Sequence, residues 1–445
     1  MNKTFLHVRN FLNFDLTFIK RELPSIVFIL IALVSGLIFM KNTGTLVGPD
    51  VHSAHYKAAL ATATGQVFKS PIDVEYSKRH VIQGNEKYFY SGGKECVKTA
   101  LVSDLINSPL QSDGKSECVR KHDKHLSSDK TVETGAILQY PFFAYIPQGA
   151  ALAIGMKTGM EPVYAQTLAR LFNLLTYIII VVMSIRLLAR GKWLAVLLAS
   201  LPPSIFLASS LSADSLNIAW NFLFVSYLIR LYTQKKPVST KQILIMGVLG
   251  VGLFVLKVAY APLLLLILAL RGKIKSIYTG WALFLVTFIV GSLLYIIWSS
   301  NWLSLNATVD VGANMRTILH NSPEFIGGIA VNVIHAPVIL LEMKEPMYTF
   351  IAMAVILLIV HSMRGIKSVS PVRLFDFVYL YRLQILSVLA AVTVLAVTYA
   401  ALLLTWTDIA KYGFMNIQGF QGRYVLPILP LLLVFYYIPQ KNTKK

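Results

Sequence analysis

Between Gly48 and Lys57 the chain reads Gly-Pro-Asp-Val-His-Ser-Ala-His-Tyr-Lys, which sets Asp50, His52, His55 and Tyr56 within one short stretch. It begins a few residues beyond an apolar run, Leu23 to Met40, long enough to form a membrane helix. A carboxylate, two imidazoles and a phenol at a membrane surface are not needed for anchoring. The chemistry that fits them is proton abstraction, with Asp50 as the base, acting on a substrate carried by a lipid. Other groups of this kind are Tyr140 before Pro141, Arg170, the Ser212-Ala-Asp214-Ser215 segment, Lys257, Asp408, and the Gly419-Phe-Gln421-Gly-Arg423-Tyr424 segment. Ionisable residues at membrane depth are expensive to place there, so each is a candidate functional group.

Plainer roles stand beside these. Asp50 and Asp214 could each cap a helix N-terminus. Lys257 could snorkel towards the headgroups, and Arg423 could be an interfacial anchor. His52 and His55 could be hydrogen-bonded surface histidines or metal ligands, and Arg170 could pair with a carboxylate. The residues call for no cofactor, and a divalent metal stays open. The run Gly247-Val-Leu-Gly250-Val-Gly252 resembles a dinucleotide fingerprint only as a string, because it lies in an apolar span with no strand before it.

The elements that must position these groups are membrane helices. Hydrophobic residues make up 56% and charged residues 14% of the 445, where a soluble chain carries about a quarter charged. The net charge of +20 would suit a nucleic-acid surface, but its distribution excludes that. The N-terminus to Glu22, Arg186–Lys192, Arg230–Lys241, Arg271–Lys275, Arg364–Arg382 and the C-terminus from Lys441 hold 21 of the 41 basic residues and 3 of the 21 acidic ones, a net of +18. All other residues together have a net of +2. Positive charge concentrated on short connections of one side is the signature of cytoplasmic loops.

The expected order is a cytoplasmic amphipathic N-terminus (1–22), a first span (23–40) and a large outer loop with surface helices (41–164). A transmembrane module (165–300), a second outer loop (301–346) and C-terminal transmembrane helices (347–445) follow. Spans are expected near Ala165–Leu188, Trp193–Leu211, Leu216–Tyr232, Ile277–Trp298, Met347–His361, Leu383–Leu404 and Tyr424–Ile438, with a surface element over Ile137–Met160. Ile243–Leu270 has basic residues at both ends, which predicts a helical hairpin broken near Pro262, with Lys257 towards its tip. The total is about ten membrane segments in an all-α polytopic fold. Cys96 and Cys118 both fall in the first outer loop. Paired, they would close a loop of about two dozen residues, worth roughly 3 kcal/mol; otherwise they are free thiols.

In this order the motifs resemble the GT-C superfamily of integral-membrane glycosyltransferases and, more narrowly, the bacterial membrane-protein family called domain of unknown function 2142. Pro49-Asp50 with His55-Tyr56, Tyr140-Pro141 with Tyr145-Ile-Pro147, and Ala169-Arg170-Leu171-Phe172-Asn173 carry the likeness through the first half. Ser212-Ala-Asp214, Lys257 to Pro262, and Gln421 to Pro427 carry it through the second. Val51 stands where that family has a second acid. The resemblance implies a GT-C-like fold in the bacterial cytoplasmic membrane, with the active site on the outer, periplasmic face. It also implies a polyprenyl-phosphate or polyprenyl-pyrophosphate sugar as donor, and a glycan or glycolipid of the cell envelope as acceptor.

The residues suit that chemistry independently. A carboxylate at Asp50 would take the acceptor hydroxyl's proton as it attacks the anomeric carbon. Lys257 and Arg423, with Arg170 third, would bind the departing phosphate. His52, His55, Tyr56, Tyr140, Asp214, Gln421 and Tyr424 are substrate-site candidates. The rival classes are a transporter or glycolipid flippase and a non-catalytic assembly protein. Exchange of Asp50→Asn is expected to abolish transfer with expression intact, and a normal glycan made by that variant would retire the assignment.

Overall fold

The computed structural model describes residues 3–44, 51, 55–67, 72–73, 131–132, 140–158, 160, 162–274, 276–300, 309–342 and 380–437. Asp50, His52, Cys96, Cys118 and the expected span at Met347–His361 lie outside the described residues. Apart from a pair of two-residue antiparallel strands, Ile72–Asp73 and Thr131–Val132, the described secondary structure is helical.

Helix α1 (Lys3–Asn42) is continuous, so the expected surface segment runs into the first span without a break, and Pro24 lies inside it. Helix α2 (Tyr56–Thr64) ends at Gly65, whose φ of 70° closes the helix in the left-handed conformation. A 3-10 turn (Phe142–Tyr145) and α3 (Ile146–Thr158) form the element expected over Ile137–Met160, followed by α4 (Pro162–Leu187). The span expected at Trp193–Leu211 is instead two short helices, α5 (Lys192–Ala199) and α6 (Pro202–Ala208). Pro202 has no amide hydrogen to continue α5 but starts α6 well. Next come α7 (Asp214–Thr233), buried on almost every face, and α8 (Thr240–Lys257), which opens with a capping box between Ser239 and Gln242.

The expected hairpin is present, but its break lies at Lys257–Val258 and not at Pro262. Lys257 takes an extended conformation, and a 3-10 helix over Val258–Leu270 returns. The shift has a steric cause: a proline ring clashes with the carbonyl four residues earlier, so Pro262 stops α-helical winding at Val258. The same spacing recurs where Pro430 lies four residues after Leu426, the first residue of the final 3-10 helix, Leu426–Tyr437. A 3-10 helix rises about 2.0 Å per residue against about 1.5 Å in an α-helix. Thirteen residues therefore return about 26 Å, matching the ~27 Å of α8. The amide of Val238, just before α8, donates to the carbonyl of Lys273, just after the return arm, at 2.9 Å. The two arms therefore end level.

Helix α9 (Ile277–Ser299) presents a broad apolar surface that includes Val286, Ile289, Leu293 and Ile296. Within the expected second outer loop lie α10 (Val311–His320) and α11 (Ser322–Glu342), and α12 (Arg382–Thr405) precedes the final segment. Among the described residues five helical runs are long and apolar enough to cross a membrane: Arg21–Asn42, Tyr164–Leu187, Thr240–Leu270, Tyr278–Ser299 and Arg382–Thr405.

Contacts between basic connections mark one end of the bundle. Arg186 Nε meets Glu22 Oε2 at 2.8 Å, Lys192 donates to the Arg21 carbonyl, and the Arg190 amide donates to the Tyr437 hydroxyl. Lys273 donates to the Gln234 carbonyl, and Arg382 to those of Ala269 and Arg271. The Gln384 amide reaches the Val434 and Tyr437 carbonyls and joins the two groups. From this basic end α1, α8 and α12 run away, whereas α4, α7 and both apolar 3-10 helices run towards it. Their opposite ends carry Thr43, Arg170, Asp214, Lys257 and Arg423.

The glycine run in α8 is a packing device. A Cβ on Gly250 would come within 2.7 Å of Leu264 on the return arm and 2.6 Å of Thr287 on α9. One on Gly252 would lie 2.2 Å from Nε1 of Trp220, which donates to the Leu249 carbonyl at 2.8 Å. Small residues let membrane helices approach this closely. Gly252→Ala is therefore expected to cost about 1–3 kcal/mol by overpacking, read as a lower melting temperature in detergent. Gly247→Ala, where a Cβ makes ordinary contact at 3.5 Å, should leave it unchanged.

Candidate functional site

At the end opposite the basic connections, the turn from Ser209 to Asp214 is buried, between α6 and α7. A buried turn must satisfy its carbonyls without water. Three buried side chains do this. Arg170 Nε donates to the Ser209 carbonyl at 2.6 Å, and Asn173 donates to those of Ser210 at 2.8 Å and Ser212 at 3.2 Å. Gln148, from α3, also donates to the Ser212 carbonyl at 3.2 Å. Arg170 further donates to the carbonyls of Met40, Thr43 and Gly44 and, at 2.8 Å, to Thr43 Oγ1. It thus ties the end of α1 to the turn before α7. The structure does not bring it to the other two expected phosphate cations. Its guanidinium is engaged by backbone oxygens, a holding role that the sequence alone did not reveal.

The turn delivers Asp214. The helix cap weighed for this residue is absent: Ala213 occupies the cap position and Asp214 is the first residue of α7. Ser212 Oγ accepts from the Asp214 amide at 3.2 Å. The carboxylate turns to the cations instead. Lys257 Nζ donates to Oδ1 at 3.0 Å, and Arg423 Nε lies 3.5 Å from Oδ2. Side-chain exposures are 3% for Asp214, 13% for Lys257 and 7% for Arg423. One acid from the start of α7, one cation from the hairpin break and one from the start of the final segment therefore meet.

Aromatic rings wall the group. The Lys257 ammonium lies 4.8 Å from the Tyr140 ring centre and 4.6 Å from that of Tyr424, distances at which ring faces attract a cation. Tyr260 donates from its hydroxyl to the Tyr424 carbonyl at 2.9 Å, fixing the last segment to the return arm. Desolvation raises the Tyr140 phenol to about 12, so it stays neutral at physiological pH. Gln421 precedes the 3-10 turn Gly422–Tyr424, and its Oε1 is buried without a hydrogen bond. Lys257, Tyr140, Tyr424 and Gln421 are partly exposed and form the open side of the cluster.

His55 is buried beside this group. Its Nδ1 lies 2.8 Å from the Tyr145 hydroxyl and its Nε2 3.4 Å from Ser212 Oγ. Tyr145 and Ser212 were visible in the sequence as motif members but not as partners of the histidine. Tyr56 packs in the apolar cluster with residues of α2, α3 and α4, and Val51 is fully buried in the same cluster. A second acid at position 51 would face that apolar surface, a poor place for a carboxylate. Among the described residues no group of three His, Cys, Asp or Glu side chains could hold a metal ion.

A family model described as Predicted membrane protein (DUF2142) matches residues 33–432. No curated protein and no solved structure matches the chain.

Removing one partner of a buried ion pair leaves the other charge uncompensated. Asp214→Asn and Lys257→Met are each expected to lower stability by roughly 3–5 kcal/mol. The double variant should recover at least about 1 kcal/mol of the summed loss, measured by thermal unfolding in a constant detergent. Strict additivity would show that the two side chains do not interact.

Proposed function

We propose, from the premise that the chain belongs to the DUF2142 family of predicted membrane proteins, that it is a membrane glycosyltransferase of GT-C type, with about ten membrane segments. It transfers a sugar from a polyprenyl-phosphate-linked donor to a glycan of the cell envelope. The observation that carries this reading is the meeting of Lys257 and Arg423 around Asp214 at the end of the bundle opposite the basic connections. Basic connections face the cytoplasm, and this supports a cluster at the outer face of a bacterial cytoplasmic membrane, at headgroup level.

In this reaction the acceptor hydroxyl oxygen attacks the anomeric carbon, and Asp50 takes its proton. The bond between that carbon and the phosphate oxygen breaks, and its electron pair leaves with the phosphate. Lys257 and Arg423 stabilise the added charge from fixed positions. A phosphate is a good leaving group, so no general acid is required, and direct displacement inverts the anomeric centre. Tyr140 and Tyr424 offer flat apolar faces beside the ammonium, suited to a sugar ring. The products are a glycoside and a polyprenyl phosphate. Against a transporter, the paired charges lie at one end of the helices and not midway along them, where transporter sites are built.

Deletion of the gene is expected to leave the envelope glycan lacking one sugar while the lipid-linked sugar accumulates, both read by mass spectrometry of glycan and lipid extracts. Re-expression restores them. Arg423→Ala should raise the donor concentration for half-saturation at least tenfold. An unchanged glycan sinks the enzyme reading, and donor trapped in the inner leaflet alone would favour a flippase.

A further inference from the structure

Arg423 and Tyr424 are reached from α12 by the segment 406–421, which holds one short helix, α13 (Ile409–Tyr412), and is otherwise irregular. Where such chain is buried, its backbone groups need partners. Side chains of α10 and α11 supply them. Asn314, 6% exposed, donates from Nδ2 to the carbonyls of Leu403 at 3.2 Å, Leu404 at 3.1 Å and Thr407 at 2.8 Å. Its Oδ1 accepts from the Ile409 amide at 3.4 Å. The first two carbonyls belong to the last turn of α12, where a helix leaves them without a partner of its own. Thr407 Oγ1 in turn accepts from the Gln418 amide at 3.0 Å and draws the two ends of the segment together. From α11, Asn332 donates to the Met415 carbonyl at 3.0 Å. Beyond Gln418 the restraint continues through rings. Phe420 stacks on the buried Tyr399 of α12, with ring centres 4.6 Å apart, and meets Tyr424 edge-on at 5.9 Å. Tyr424 is the ring beside the Lys257 ammonium, and the Arg423 guanidinium lies 5.6 Å from its centre.

We infer that Asn314 is a positioning residue. From α10 it fixes the segment 406–421 and, through that segment, the places of Arg423 and Tyr424 at the cluster. The kinetic consequence rests on the proposed reading; the positioning itself rests on the contacts. Without the amide, the Thr407 carbonyl and the Ile409 amide each lose a partner, and the segment is freed to carry Arg423 away from Asp214. A lipid-phosphate donor then binds the fraction of molecules in which the site is formed, and its apparent affinity falls by that fraction. Once bound, it holds the site together and reacts at the ordinary rate. Loss of Arg423 itself differs, because it takes a cation from the departing phosphate and slows the reaction as well.

The test compares the full chain in nanodiscs with Asn314→Ala, Thr407→Val and Arg316→Gln, the last an exposed residue of the same helix. Hydrogen exchange read by mass spectrometry should be about tenfold faster over residues 407–425 in Asn314→Ala and unchanged in Arg316→Gln. Thr407→Val keeps the side chain's shape but removes the acceptor of the Gln418 amide, so it should speed exchange over 418–425. It carries the test where Asn314→Ala does not fold. With the lipid-linked sugar purified from the deletion strain as donor, Asn314→Ala should raise the half-saturating concentration about fivefold and leave kcat within about twofold of wild type. Wild-type exchange over 422–425 in both folded variants overturns the inference, whatever the activity. Faster exchange with unchanged half-saturation, or a loss of kcat in place of affinity, overturns the positioning role and leaves the glycosyltransferase reading intact. A wild-type protein that transfers no sugar overturns that reading alone, and the exchange over 422–425 then decides the inference.

Discussion

A carboxylate almost wholly removed from water survives only where cations compensate it, and Asp214 has two. That pairing fixes the ends of three segments against one another: the start of α7, the break between α8 and its return arm, and the approach to the final 3-10 helix. Had the acid been absent, two cations would repel each other in a site with little solvent to screen them. Had the cations been absent, a buried acid would take up a proton or force the turn open. The packing and the proposed chemistry therefore draw on the same residues.

Around this pairing lies a second layer built from side-chain hydrogen bonds to backbone carbonyls. Arg170, Asn173 and Gln148 donate to the carbonyls of a turn that could not otherwise be buried, and Arg170 carries the restraint across to the end of α1. The guanidinium holds the chain at Thr43 and Gly44, so the end of α1 is tied to the turn that delivers Asp214.

Much of this was legible in the sequence where the signal is local. Basic residues on both sides of Ile243–Leu270 required that stretch to turn back, and it does. The pattern of basic loops separated the two ends of the bundle, and Lys257, Asp214, Arg423, Tyr140 and Tyr424 stood out as polar groups in apolar surroundings. Pairing was not legible. Asp214 and Lys257 lie 43 residues apart, and no periodicity connects them. The role of Arg170 was also hidden, because the demand it meets comes from carbonyls that are buried only once α6 and α7 pack. The exact break was misplaced because proline acts on the carbonyl four residues behind it, so the winding changes at Val258 and not at Pro262.

The hairpin carries a consequence for how the chain is made. Its two arms are bonded together at their base, so they must enter the bilayer as a unit, with Lys257 leading at the tip. Carrying a lysine through the hydrocarbon centre costs about 2.5–3.5 kcal/mol on insertion scales. Synthesis proceeds from the N-terminus, so Asp214 is already in place when the tip arrives, and Arg423 comes last. In the folded protein the lysine that leads the hairpin ends beside an acid made before it.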